Sequence, residues 1–100
     1  MSTEPAPQLS SATRLRIELL FPAEQRDEVR TLLLNECGAH ITNREDPDRL
    51  NFAVLKLSDG NLEKLHKALR LAKRDYRDLF MASGFGYLIK AHEAWMPEPR

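Results

Sequence analysis

With one cysteine, Cys37, the chain has no internal disulfide, and a lone thiol fits a reducing compartment such as the cytosol. Four glycines, none grouped in a phosphate-binding pattern, exclude a P-loop or dinucleotide fingerprint. No apolar run approaches the roughly 18 residues that a membrane-spanning helix needs. The opening MSTEPAPQLSSAT lacks a basic region followed by an apolar one, so neither an export signal nor a membrane partner is expected and the location reads as cytoplasmic. The three histidines, His40, His66 and His92, are scattered. With Cys37 they make no ligand pairs at the short spacings of zinc sites, and no metal or other cofactor is expected. No nucleophile stands beside a base, and a thiol at a helix C-terminus has its thiolate disfavoured by the dipole. The chain therefore reads as a non-enzyme.

What is present is ordinary for a globular protein. Hydrophobic residues make up 42% and charged residues 30%, outside the disordered and fibrous classes. One hundred residues suffice for one domain, expected over 13–96 behind a disordered tail at 1–12 that is rich in Ser, Thr, Pro and Ala. Such a domain buries only about 60–65% of its unfolded surface, so a homodimer is expected to add burial. Formal net charge is zero but unevenly placed. Met1–Asp48 holds 5 basic against 9 acidic residues, a net −4, and Arg49–Asp78 holds 8 against 4, a net +4. That falls short of the strongly basic balance of a typical DNA-binding domain.

Arg14–Phe21 alternates, with Leu15, Ile17 and Leu19 on one side and Arg14, Arg16 and Glu18 on the other, which predicts a short N-terminal strand. Pro22 opens a helix with Glu24, Asp27 and Glu28 in its first turns, a stripe of Val29, Leu32, Leu33 and Cys37, and a stop at Gly38. Asp46-Pro47 reads as a cap with proline in the first helical turn. The next segment, LNFAVLKL over residues 50–57, fits both periods. The Asp-Pro signal favours helix, and the strand reading would give a small α+β domain with two strands. Ser58–Asn61 is punctuation, and Asn61 caps the next helix. From Asn61 to Phe80 one amphipathic helix is expected to act as the central scaffold, with Leu62, Leu65, Leu69, Ala72, Tyr76, Leu79 and Phe80 inward. Gly84 and Gly86 break it. A last short helix, Tyr87–Trp95, turns Leu88, His92 and Trp95 inward and ends before Pro97. The expected fold is mainly α: four to five short helices in a small bundle with one strand.

The chemistry concentrates on the 61–80 helix. On a wheel of about 100° per residue, Lys64, Lys67, Arg70, Arg74 and Arg77 share an arc opposite the leucines. Two readings compete there. Such a row can neutralise phosphates with salt-dependent affinity for nucleic acid. It can equally be a solvated face, since Glu63 stands four before Lys67 and Asp78 four after Arg74, the spacing of weak helical ion pairs. Leu71 lies on this polar side, between Lys67 and Arg74, and is the candidate interface residue. Asp75-Tyr76-Arg77-Asp78 is the most specific local sequence. Asp75 can cap a new helix if the long one kinks near Arg74, and Arg77 can join Asp75 and Asp78 in a structural network that locks two helices together.

NFAVLKLSDGNLEKL, then AKRDYRDLF and ASGFG, resembles a family of small uncharacterised bacterial proteins. Leu55, Lys56 and Leu57 match its Leu-Lys-Leu segment, Gly60 and Asn61 its capped glycine turn, and Asp75–Asp78 its Asp-aromatic-Arg-Asp motif. The resemblance spans Leu50 to Trp95. It implies a core able to stand behind variable N-terminal segments, with the strand at Leu15 as an accessory, and brings no ligand or catalytic residue. Taken together, these features lead us to expect a small cytosolic, non-enzymatic interaction module that self-associates. The alternative is a nucleic-acid-binding regulator using the basic face.

Overall fold

The computed structural model describes residues 8–87 and 90–98. Five helices succeed one another: α1 (Ser11–Leu20), α2 (Ala23–Glu36), α3 (Pro47–Ser58), α4 (Leu62–Arg74) and α5 (Tyr76–Ser83). Short 3₁₀ turns at Gly38–His40 and Ala91–Ala94 complete them. No strand occurs among the described residues, so the mainly α bundle holds and the α+β alternative falls away.

The expected N-terminal strand is α1. Thr13, Arg16, Ile17 and Leu20 are its buried residues, the i, i+3, i+4, i+7 spacing of one helical face. Leu15 is 44% exposed. A strand here would have had no partner for its backbone groups, whereas a helix satisfies its own. Ser10 caps it, its hydroxyl accepting from the Thr13 N–H at 3.1 Å. The expected 1–12 tail therefore gives way at its end, because Leu9 is buried, Ser10 is the cap and Ser11 begins the helix; residues 1–7 lie outside the described residues. Nor is the segment an accessory. Ser10 Oγ and Thr13 Oγ1 both donate to Asp48 Oδ1, at 2.7 and 3.0 Å, tying the start of α1 to the first turn of α3.

The centre of the molecule is α3, not the 61–80 helix. Arg49 through Leu55 are all buried, and α1, α4, α5 and both 3₁₀ turns pack on it. A helix buried around most of its circumference shows little amphipathic signature, which explains why LNFAVLKL fits two periods. Its start is the predicted one: Asp46 Oδ1 accepts from the Asp48 N–H at 2.9 Å, and Pro47 stands at the first helical position. Asp59 and Gly60, with φ of 48° and 76°, turn the chain, and Asn61 Oδ1 accepts from the Lys64 N–H at 2.9 Å to start α4.

The long helix expected over 61–80 is two. The Asp75 N–H donates to Leu71 O at 2.8 Å and closes α4. Its carboxylate then accepts from the Arg77 N–H at 3.0 Å and opens α5. One residue thus serves as the end of one helix and the cap of the next. Asp75→Ala should cost about 1 kcal/mol and lower Tm by about 4–8 °C in a domain of this size, read by thermal circular dichroism.

The expected Tyr87–Trp95 helix contracts to the 3₁₀ turn at Ala91–Ala94. His92 is buried and Trp95 half-buried, while Leu88 lies outside the described residues. This C-terminal stretch is held by Arg16, itself only 4% exposed. Arg16 Nε and one terminal nitrogen donate to Trp95 O at 3.1 and 2.8 Å, and the other terminal nitrogen donates to Ala12 O at 2.9 Å. The guanidinium lies 3.9 Å from the Phe52 ring centre. Burial pushes its pKa down, and the nearby Asp48 charge opposes that shift.

Candidate interaction surface

Lys64, Lys67, Arg70 and Arg74 are all exposed along α4. Arg77 is exposed too, but it belongs to α5, so the five-residue arc of a continuous helix is broken after the fourth cation. Neither expected neutralising pair forms: among the described residues no ion pair joins Glu63 to Lys67 or Arg74 to Asp78. The α4 cation that finds a carboxylate is Lys73, which reaches Glu36 at the end of α2. Lys73 holds the Glu36 carboxyl below its ordinary range, chiefly through that hydrogen bond. The basic row is thus less neutralised than its sequence suggests.

Leu71 is half-buried against the core. It lines a shallow apolar groove of about 210 Å³ with Leu57 and Ala68, and Lys64 and Lys67 form its edge. The cationic row therefore has an apolar seam running into it.

The Asp75–Asp78 cluster lands elsewhere. Asp75 caps, but among the described residues no ion pair ties Arg77 to Asp75 or Asp78, so the expected network is not there. The lock between helices comes from Arg49, which sequence reasoning does not single out. It is 6% exposed, and its terminal nitrogens donate to Glu45 Oε2 and to Phe85 O, each at 2.8 Å. Its guanidinium lies 3.9 Å from the Phe80 ring centre. Arg49, Glu45, Tyr76 and Arg77 line one cleft of about 410 Å³. Glu45 already holds the buried guanidinium there, which makes this cleft a joint of the fold. Its one sequence signal is an arginine at the head of a largely apolar helix.

His92 is buried edge-on to Phe52 and Phe85, with Nε2 3.6 Å from Asp46 Oδ2. Among the described residues no group of three or more His, Cys, Asp or Glu side chains is set to hold a metal ion. Cys37 is buried, and desolvation pushes its thiol from 9.0 up to about 12. The folded state therefore favours the protonated thiol, and this contribution to stability is intact below pH 9.0 and lost as pH rises toward 12. At pH 8 the native protein should react with a disulfide reagent at least about tenfold more slowly than the unfolded chain, as absorbance of the released thiol would show.

No helix among the described residues is long and apolar enough to cross a membrane. Comparison with protein-family models, curated proteins and solved structures finds no significant match.

Proposed function

We propose that the chain is a small non-catalytic interaction module of the cytosol that self-associates, with the α4 face of one copy receiving the acidic α2 face of another. The observation that carries this reading is the apolar groove at Leu57, Ala68 and Leu71, set inside a row of cations with no ion-pair partner among the described residues. An isologous contact of groove on groove would bring Lys64 and Lys67 against their own copies. Like charge disfavours it.

The complementary surface exists in the same chain. On α2, Glu24 and Glu28 are exposed, Asp27 is exposed and pairs with Arg30 of the same helix, and Leu32 and Leu34 are half-buried. α2 packs on α1, while α4 packs on α3 and α5, so the acidic and basic helices are outer elements of one bundle. The uneven charge of the sequence supports the same pairing, net −4 before Arg49 and +4 from Arg49 to Asp78. A contact between unlike patches is heterologous and makes a ring or a short chain rather than a simple twofold pair.

Exposed ion pairs are individually weak and screened by salt. Light scattering across protein concentration should show mass rising above 11.5 kDa at low salt. Half-molar salt should weaken the association by about tenfold or more. A strict monomer at every concentration sinks the reading. A gel shift with random duplex DNA that weakens steeply with salt would instead favour nucleic acid as the occupant of the same cations.

A further inference from the structure

A second site lies apart from α4, where the start of α3 meets the end of α2. A cavity of about 280 Å³ opens there, its wall formed by Leu9, Leu33, Leu34, Cys37, Pro47 and Asn51. The rest of the lining includes two exposed polar residues, Gln8 and His40. Asn51 is the polar residue of the wall that is buried: it is 4% exposed, and its Oδ1 has no hydrogen-bond partner. No hydrogen bond joins its side-chain amide to another described residue. A buried carbonyl oxygen without a partner is costly, and buried polar groups are normally satisfied. Its terminal torsion is soft, so either end of the amide can turn toward the space.

Gly38 borders the cavity. It adopts φ of +60°, the left-handed region that favours glycine, and a side chain there would meet Pro47 Cβ at 3.5 Å and Asn51 Oδ1 at 3.9 Å, ordinary contact distances.

We infer that this cavity is a binding site for a small, largely apolar molecule bearing a cyclic amide or an equivalent edge, which pairs donor to acceptor and acceptor to donor with the Asn51 side chain. The volume exceeds that of a cavity that holds benzene and lies just below the range for drug-sized ligands, which fits one or two fused rings. Asparagine is suited to such two-point recognition, as its pairing with adenine edges illustrates. Binding is non-covalent, because the Cys37 thiol stays protonated at neutral pH.

The test is a titration of the ¹⁵N-labelled full chain with oxindole, a bicyclic lactam, and with N-methyloxindole, which keeps the shape and loses the donor. Oxindole should shift the Asn51 side-chain amide and the Cys37 and Gly38 backbone signals, and bind at least about tenfold more tightly than the methylated probe. Asn51→Leu should abolish that preference and raise Tm, since it removes an unpaired buried amide. Leu33→Ala enlarges the cavity without touching the amide and should keep the preference. Equal binding of both probes overturns the inference. So does an absence of shifts with oxindole, the result for a cavity filled by water or by the chain's own residues, and so does an unchanged preference in Asn51→Leu.

Discussion

Arg16→Ala should lower Tm by about 10–20 °C. Three donated hydrogen bonds disappear with it, two at Trp95 O and one at Ala12 O, together with the stack on Phe52. Losing one member of a buried ion pair costs about 3–5 kcal/mol because it strands a charge. Here the partners left behind are neutral carbonyls, so about 2–3 kcal/mol is the appropriate figure. At about 4–8 °C per kcal/mol for a domain of this size, that loss gives the stated shift. Arg16→Met keeps most of the apolar contact and should recover part of it. Arg16→Lys should not recover the whole, since an ammonium lacks the planar fork that reaches both carbonyls. Thermal circular dichroism decides. A fall below about 4 °C in Arg16→Ala would mean that the 90–98 segment is not anchored through this residue.

Reversing Lys67 and Arg70 to Glu should abolish self-association, with at least a tenfold rise in dissociation constant. Both side chains are exposed and make no ion pair among the described residues, so the fold loses almost nothing and Tm should stay within about 2–4 °C, given the small effect of exposed substitutions. The interface loses more. In the proposed contact each new carboxylate would face the acids of α2 in the partner copy, turning attraction into repulsion. Light scattering and a melting curve on the same sample separate an interface effect from unfolding.

How far the sequence discloses this molecule depends on whether a feature is local. Caps are legible: Asp46 before Pro47, Asn61 before α4, and Gly84 at φ 86° after α5. Each acts within a few residues of itself, so its residue type points to its role. α1 misleads because Arg14–Phe21 satisfies two periods at once, and only packing on α3 decides between them. The division between α4 and α5 has no Gly or Pro to announce it. It rests on Asp75, whose capping role the sequence offers only as a condition on a kink. The basic row is visible, but its freedom from internal pairs depends on which rotamers meet, which spacing alone does not determine. Arg16, Arg49 and Asn51 are invisible as sites. Their importance comes from Trp95, Phe85 and the Gly38 turn, partners distant along the chain or reached only after folding.

Whether acidic α2 of one copy meets basic α4 of the next is decided by a charge-exchange experiment. One variant carries Lys67→Glu and Arg70→Glu, and a second carries Glu24→Lys and Glu28→Lys. Each alone should be monomeric at low salt by light scattering, because its two faces then carry like charge. Mixed in equal amounts, the two should associate again, each supplying the face the other needs. Either variant keeping the mass of the parent chain, or a mixture that stays monomeric, would contradict the account.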